Sequence, residues 1–376
     1  MDMKKYILSL SLFTLISTSA LATTQEGEDA YNKGYYEKAF ILLSPEADKG
    51  DVKAEYLLGK MYFNGQGVSY NGDKAEKYLS AAANQGNVDA QVLLGDYYWY
   101  LDTSDGYKKA FEWYQKAANQ NSPDGQYGMA YMYEKGISVP QNLETALVWY
   151  RKSADLGNPL SMFAIGYFYD MGTGVKQDKQ EAVKWYTKAA DLGNTKAMFN
   201  LGLMYEQGDG LPADNNKAAE ILEKAANLGY DRAQYELGYL YDSGKLGKAD
   251  YQKAAQWYQK SADQGYVYAQ YSIGDMYFYG DGVTRDMEQS VKWIQKAAEQ
   301  GYGKAQNRLG VFYRDGIGVK VDPIVAYAWF TAAKSNGYDK ASEGLSDLEK
   351  SLSQADLEKA KQLGNEYSAN YKAKNK

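Results

Sequence analysis

The chain repeats itself about every 36 residues, and this period constrains the fold more than any other feature of the sequence. In eight successive lines, a small residue follows an aliphatic residue or methionine, and a tyrosine stands three residues later. These tyrosines are Tyr62, Tyr98, Tyr133, Tyr169, Tyr205, Tyr241, Tyr277 and Tyr313. A fixed period in this range is typical of stacked supersecondary units, each of which packs only on its neighbours.

Each line predicts two helices. In the first, Ala269, Ile273 and Tyr277 show the spacing of four residues that places side chains on one helical face. A glycine such as Gly172 then ends the helix, because glycine tolerates a positive φ. The second helix follows a side chain that can accept bonds from free N–H groups. These capping residues are Asn71, Asn142, Asp178, Asp214, Asp250, Asp286 and Asp322. The second line departs from this rule, with Gly106 in that place.

The second helix follows the pattern small-x-x-Trp-Tyr-x-Lys-Ala-Ala, which lines two and four match in full, and it ends at a glycine, a slot that Asn121 fills in the second line. The whole line, with its Leu-Gly-x-x-Tyr step and Gly-x-Gly turn, resembles the Sel1-like branch of the tetratricopeptide-type repeats. Lines four (161–193) and seven (269–301) match the pattern best. The resemblance implies an all-α fold, a right-handed αα-hairpin solenoid or superhelix.

The resemblance divides the chain into four segments. Residues 51–337 form eight Sel1-like repeats, and residues 23–50 form a degenerate half repeat that caps the N-terminal end. Residues 338–376 predict C-terminal capping helices with a basic tail, and Ser353 starts the final helix. Terminal caps with a polar outer face keep a solenoid soluble.

Residues 1–22 predict a secretory signal peptide. Lys4 and Lys5 precede an apolar run over residues 6–16, and Ala20-Leu21-Ala22 supplies a small-x-small cleavage site. A membrane anchor is the alternative, but the apolar run is short for a membrane span. We therefore expect an exported protein with no integral membrane segment after cleavage. The periplasm is the first expectation, and secretion or the cell surface is the alternative.

Composition excludes several kinds of chemistry. The chain contains no histidine and no cysteine, which removes imidazole catalysis, thiol catalysis and the metal sites built on those side chains. We therefore expect a non-enzymatic protein with no cofactor and no metal. The formal net charge of −6 does not favour binding to a phosphate backbone, so we expect no nucleic-acid partner.

The resemblance places a concave face on the first helices. Its side chains are counted from a second small residue, five residues before that of the Leu-Gly step: they lie one residue before it and two, six and nine residues after it. These reference residues are Ala54, Ala90, Gly125, Ser161, Ala197, Ala233, Ala269 and Ala305. Aromatic side chains bury a large area at low entropic cost, which suits an interface. The residues that we select for this face are Tyr127, Tyr131, Glu134, Phe163, Tyr167, Asp170, Phe199, Glu206, Tyr235, Tyr239 and Asp242. The alternatives are second-layer core for the aromatics two residues after the small residue, and a solvated surface for the carboxylates.

Together these features predict an exported scaffold or adaptor of the bacterial cell envelope that binds a partner protein. An aromatic floor beside carboxylates favours an extended or helical partner segment that carries Lys or Arg. One alternative is a secreted or surface factor of virulence or colonisation that binds a host protein. Another is a module that binds glycan or peptidoglycan. The sequence leaves the oligomeric state open and favours a monomer.

Overall fold

The computed structural model describes residues 23–373, so the signal peptide predicted at 1–22 lies outside the described residues. Of these, residues 23–189 form one compact unit, and residues 190–373 form a second. In each unit, helices that are consecutive along the chain pack side by side. The regular secondary structure over residues 23–373 is helical, as the sequence predicts for an αα-hairpin solenoid.

Each of the eight lines contributes a first and a second helix. The first helices are α3 (Val52–Asn64), α5 (Val88–Tyr100), α7 (Pro123–Lys135), α9 (Pro159–Met171), α11 (Thr195–Gln207), α13 (Asp231–Asp242), α15 (Val267–Tyr279) and α17 (Gly303–Asp315). The second helices are α4 (Gly72–Asn84), α6 (Ser104–Asn119), α8 (Leu143–Asp155), α10 (Lys179–Asp191), α12 (Asn215–Asn227), α14 (Tyr251–Asp263), α16 (Met287–Glu299) and α18 (Pro323–Ser335). They are preceded by α1 (23–32) and α2 (Tyr36–Ala47), and followed by α19 (Ala341–Ser351) and α20 (Gln354–Asn370).

Side-chain caps fix where the second helices begin. The predicted capping residues all accept a hydrogen bond from the first turn of their helix, as Asp178 does from the backbone N–H of Glu181 at 2.9 Å. The second line departs from this rule in the structure as well. Thr103 caps α6 and accepts a bond from the N–H of Gly106, so this helix begins earlier than the repeat pattern predicts. Asn121 has a φ of 60°, in agreement with its predicted role as a helix end.

The N-terminal part of the described chain contains a helix that the repeat pattern did not indicate. The predicted half repeat at 23–50 accounts for one helix, which the structure shows as α2, whereas α1 lies ahead of it. A Cβ added to Gly27 would lie 2.7 Å from Leu43, so this glycine allows α1 to approach α2 closely. At the other end, Ser353 caps α20 at the predicted helix start.

The glycine of the step lets the second helix lie directly on the first. A Cβ added to Gly166 would lie 2.6 Å from the ring of Tyr186, and one added to Gly238 would lie 2.7 Å from the ring of Tyr258. Both tyrosine rings are fully buried, so they have no free space into which they could move. A larger side chain at the step must therefore displace the second helix or force a ring out of its rotamer.

Replacing the step glycine tests this close contact. We expect Gly166→Val to lower the free energy of unfolding by about 1–3 kcal/mol, because overpacking a filled core forces such shifts. Urea unfolding followed by circular dichroism measures the change. Gln115→Val, on the exposed side of α6, should stay within about 0.5 kcal/mol of the wild type. Equal effects in the two variants would mean that the step does not hold the helices at a fixed distance.

Buried amides join the first and second helices. The Nε2 of Gln270 donates to the carbonyl of Ala262 at 3.3 Å, and its Oε1 accepts a bond from Gln300 at 2.8 Å. The sixth line repeats this bond with Gln264 donating to Gln234 at 2.8 Å. Because the buried amides of these two lines meet polar partners, the seam between their helices stays satisfied.

Along this seam, the position on the first helix and the position on the second helix of the same line are either both polar or both apolar. The third line is the exception. In the fourth line both positions are apolar, with Met162 and Leu192. In the third line, Gln126 is buried and its Oε1 accepts no hydrogen bond, because Leu156 stands where other lines supply the amide donor. A buried acceptor without a donor destabilises the fold.

Supplying the missing donor should stabilise the protein. We expect Leu156→Gln to raise the free energy of unfolding by about 1 kcal/mol, since the new amide can donate to Gln126. Leu192→Gln is the matched control, because Leu192 is equally exposed and the fourth line has Met162, not an acceptor, at the sequence position of Gln126. Thermal and urea unfolding of the two variants give the comparison. A gain in both variants, or in neither, would contradict the role assigned to Gln126.

Candidate partner-binding face

In the first unit, the predicted face forms a cavity between α5 and α7 with a volume of about 390 Å³. The side chains of α5 that line it are Val92, Asp96, Trp99 and Tyr100. From α7 come Tyr127, Gly128, Tyr131 and Met132. The offsets given for the face include Val92, Asp96 and Trp99 on α5. They also include Tyr127 and Tyr131 on α7. We call this space the α5/α7 cavity.

Aromatic rings form the walls of the α5/α7 cavity. The ring centroids of Trp99 and Tyr131 lie 5.6 Å apart in an edge-to-face arrangement, and Tyr127 stacks on Tyr131 at 6.4 Å. Behind them, Tyr127 contacts the buried ring of Tyr150 at 5.8 Å. Because each ring is held by another, the walls are fixed before any partner binds.

Two carboxylates line the same cavity. The hydroxyl of Tyr114 donates to Asp96 at 2.6 Å, and Asn158 donates to Asp124 at 2.8 Å. Burial raises the pKa of Asp96, the bond from Tyr114 opposes this rise, and repulsion from Asp124 adds to it. Asp96 forms no ion pair with any lysine or arginine in the described part of the chain. The cavity therefore combines aromatic walls with a carboxylate that has no counter-ion.

The second unit contains a related cavity of about 300 Å³ on its own first helices. Tyr235 and Asp242, both predicted for the face, line it together with Tyr271 and Asp275. A lysine is already present here, because the Nζ of Lys304 lies 4.6 Å from the centroid of the Tyr271 ring. This cavity is therefore less exclusively acidic than the α5/α7 cavity.

The predicted row of carboxylates has partners inside the protein. Three of the four accept a hydrogen bond from the tyrosine that packs on their own first helix. These pairs are Tyr150 with Glu134 (2.6 Å), Tyr186 with Asp170 (3.1 Å) and Tyr258 with Asp242 (3.3 Å). Asp170 is only 7% exposed and also pairs with Lys179 at 2.6 Å, so its charge is already balanced.

The fourth predicted carboxylate, Glu206, follows a different rule. Leu222 stands where the other three lines of the row have a tyrosine, so no hydroxyl is available. Glu206 instead pairs with Lys245 at 2.7 Å. Burial, followed by repulsion from Glu206, raises the pKa of the neighbouring Glu236 to about 7. Three carboxylates of the row therefore accept a bond from a tyrosine of the fold, and the fourth pairs with a lysine.

The predicted aromatic residues divide into packed and open ones. Phe163 and Phe199 are half-buried and pack on neighbouring rings, Phe163 on Tyr186 at 5.7 Å. Tyr167 and Tyr239 are 43% and 37% exposed, and the Nζ of Lys245 lies 4.9 Å from the Tyr239 ring centroid. The aromatic residues at the second offset of the face thus pack in a second layer. Two of them, Tyr127 and Tyr235, also line a cavity.

Sequence reasoning did not select Asp96, Trp99, Tyr100 or Gly128 for the site, although they line the α5/α7 cavity. The selection concentrated on the middle lines, where the same residue types recur. One signal was available, because Trp99 is the single tryptophan outside the register that the other six share. No helix within residues 23–373 has both the length and the hydropathy needed to cross a membrane.

Comparisons with known proteins agree with the repeat architecture. The Sel1 repeat family model matches eight consecutive segments: 52–87, 88–122, 123–158, 159–194, 195–230, 231–266, 267–302 and 303–338. A Sel1 repeat protein from Oxalobacter formigenes is 34% identical, with a TM-score of 0.62, over 81% of this chain and 90% of that protein. A protective antigen of uropathogenic Escherichia coli strains, which displays an SLR fold, is 27% identical with a TM-score of 0.58. That likeness covers 96% of this chain and 95% of the antigen.

A more distant likeness is to HRD3B of Arabidopsis thaliana, described as an ERAD-associated E3 ubiquitin-protein ligase component. It is 27% identical over 123 residues, which are 32% of this chain and only 20% of HRD3B. Proteins built from Sel1 repeats generally act as protein-interaction scaffolds and are typically non-catalytic. Because the family model covers residues 52–338 without a break, the chain belongs to the Sel1 repeat family.

Proposed function

We propose that this chain is an exported adaptor that binds a partner protein through the face formed by its first helices. One observation carries the proposal: the α5/α7 cavity, of about 390 Å³, opens on that face and is lined by Asp96, Trp99, Tyr100 and Tyr131. A concave site with aromatic walls and a few polar groups is the usual form of a binding site.

The cavity is suited to anchor one side chain of a longer partner segment. Aromatic anchors in a desolvated pocket carry most of the binding energy of an interface, whereas the surrounding contacts mainly exclude water. Tyr100 is 73% exposed and stands at the rim, and Tyr167 provides a further exposed ring on α9. A segment that crosses the first helices of this unit could contact both.

For its location we propose the bacterial cell envelope, on the basis of the predicted signal peptide at 1–22. A second candidate function is the binding of a host protein at the cell surface or after secretion. The likeness to a protective antigen of uropathogenic Escherichia coli over nearly the whole chain favours this candidate. Protease accessibility in intact cells, followed by fractionation, separates the two candidates, since only a surface protein is cleaved from outside.

Site-specific photocrosslinking tests the binding face. We expect p-benzoylphenylalanine at Tyr100 to form a covalent adduct with a partner protein in living cells, because this side chain is exposed at the cavity rim. The same group at Val148, which is 53% exposed on the second helix α8, is the matched control and should give no such adduct. Gel shift and mass spectrometry identify the product.

The wall residues provide an independent check. Trp99→Ala with Tyr131→Ala should abolish the Tyr100 adduct in a chain whose helical content is unchanged. If the adduct forms equally at Val148, or survives the loss of both rings, the partner does not use the α5/α7 cavity. For the host-protein candidate, the same crosslinks are made with host cell extract added to the purified chain.

A further inference from the structure

A groove between successive first helices recurs in the second unit, where the chain fills it with its own arginine. Between α15 and α17, an Nη of Arg308 donates to Asp275 at 2.7 Å. The guanidinium carbon lies 4.7 Å from the ring centroid of Phe278, 5.7 Å from that of Tyr279 and 5.8 Å from that of Phe312. This groove therefore accommodates a guanidinium between aromatic rings and a carboxylate.

The repeat register places the same kinds of residue around the α5/α7 cavity. Positions are counted from the small residue of each line, which is Ala90, Gly125, Ala269 or Ala305 for the four lines concerned. The equivalent pairs are Asp96 with Asp275, Trp99 with Phe278, Tyr100 with Tyr279 and Met132 with Phe312. Gly128 stands at the position of Arg308. The α5/α7 cavity is thus the groove of Arg308 without the arginine side chain.

The first unit has no room for an arginine at position 128. A Cβ added to Gly128 would lie 2.7 Å from the ring of Tyr114, whereas Ile294 occupies the equivalent position in the second unit. The Tyr114 hydroxyl reaches one oxygen of Asp96, but no hydrogen bond in the described part of the chain reaches the other oxygen. A partly buried carboxylate is therefore left with a single neutral donor, a much weaker partner than a cation.

We propose that the α5/α7 cavity receives the guanidinium of an arginine carried by the partner protein. In this complex the guanidinium pairs with Asp96 and stacks on Trp99, as Arg308 pairs with Asp275 and lies over Phe278. That the arginine belongs to a partner protein rests on the proposed function. The ability of the cavity to bind a guanidinium does not rest on it.

Arginine suits this site better than lysine for two reasons. The planar guanidinium can stack on an indole ring and at the same time donate in its own plane to a carboxylate. It is also more weakly hydrated than an ammonium group, so moving it into an aromatic cavity costs less. The arrangement around Arg308 shows both contacts within this chain.

The test uses the purified full-length chain and a pair of small probes. The first is arginine with an acetyl group on its amino end and a methylamide on its carboxyl end. The second is citrulline blocked in the same way, which has nearly the same shape but no charge. We expect the arginine probe to bind about tenfold more tightly, since a hydrogen bond between charged groups is stronger than one from a neutral donor. Calorimetry or ligand-observed NMR measures both affinities.

Two aspartate variants locate the site. Asp96→Asn should bind the two probes equally, because the amide keeps the shape of the side chain and removes its charge. Asp155→Asn, on the exposed end of α8, should keep the tenfold preference. If Asp96→Asn retains the preference, or if blocked lysine binds as tightly as blocked arginine, the proposal is overturned.

A double variant reproduces the arrangement of the second unit. Tyr114→Ile with Gly128→Arg should place an arginine of the chain itself in the cavity and reduce binding of the arginine probe at least tenfold. Circular dichroism shows whether this variant keeps its helical content. In a folded double variant, binding at the wild-type level would place the probe elsewhere and overturn the proposal.

The outcomes for the site and for the proposed function can be told apart. If the probes behave as expected but no protein is crosslinked at Tyr100, the guanidinium site stands and the adaptor function fails. If a partner is crosslinked equally well by the wild type and by Asp96→Asn, the adaptor function stands and the guanidinium site fails.

Discussion

The close contact between the step of the first helix and the residue that packs on it from the second helix is the constraint on which the rest of the structure depends. At Gly95, Gly166 and Gly238 the partner is a tyrosine ring, and there is no room for a Cβ between ring and backbone. This short distance sets the spacing of the helix pair. It also leaves each ring with a fixed direction, so that the hydroxyls at Gly166 and Gly238 point to the end of the first helix.

That direction connects the fold to the binding face. The hydroxyls of Tyr150, Tyr186 and Tyr258 reach carboxylates near the C-terminal ends of their first helices, and Tyr114 reaches Asp96 one turn earlier. A buried hydroxyl needs a partner, and these carboxylates provide one. Many acidic residues of the face are therefore required by the tyrosines beneath them, which explains why an acidic row alone is weak evidence for a binding site.

The sequence was sufficient for the features that all lines share. Helix pairs and most caps follow from the period, because the same contact is repeated in every line. The features that it did not give belong to single lines. Thr103 replaces a missing cap, and α1 lies outside the repeat pattern. The α5/α7 cavity requires Gly128 and Tyr114 together, and their contact becomes visible only when adjacent lines are packed.

Differences between lines are consequently more informative about binding than the consensus is. Asp96 and Asp275 occupy the same position of the repeat, and both are partly buried carboxylates next to an aromatic wall. Asp275 has a cation from the following line, and the groove beside it is filled. Asp96 has a tyrosine hydroxyl and a neighbouring carboxylate, which together leave its charge unbalanced. A repeat protein can thus create a binding site by omitting one side chain, since the remaining residues of the line already form the surroundings that the missing group requires.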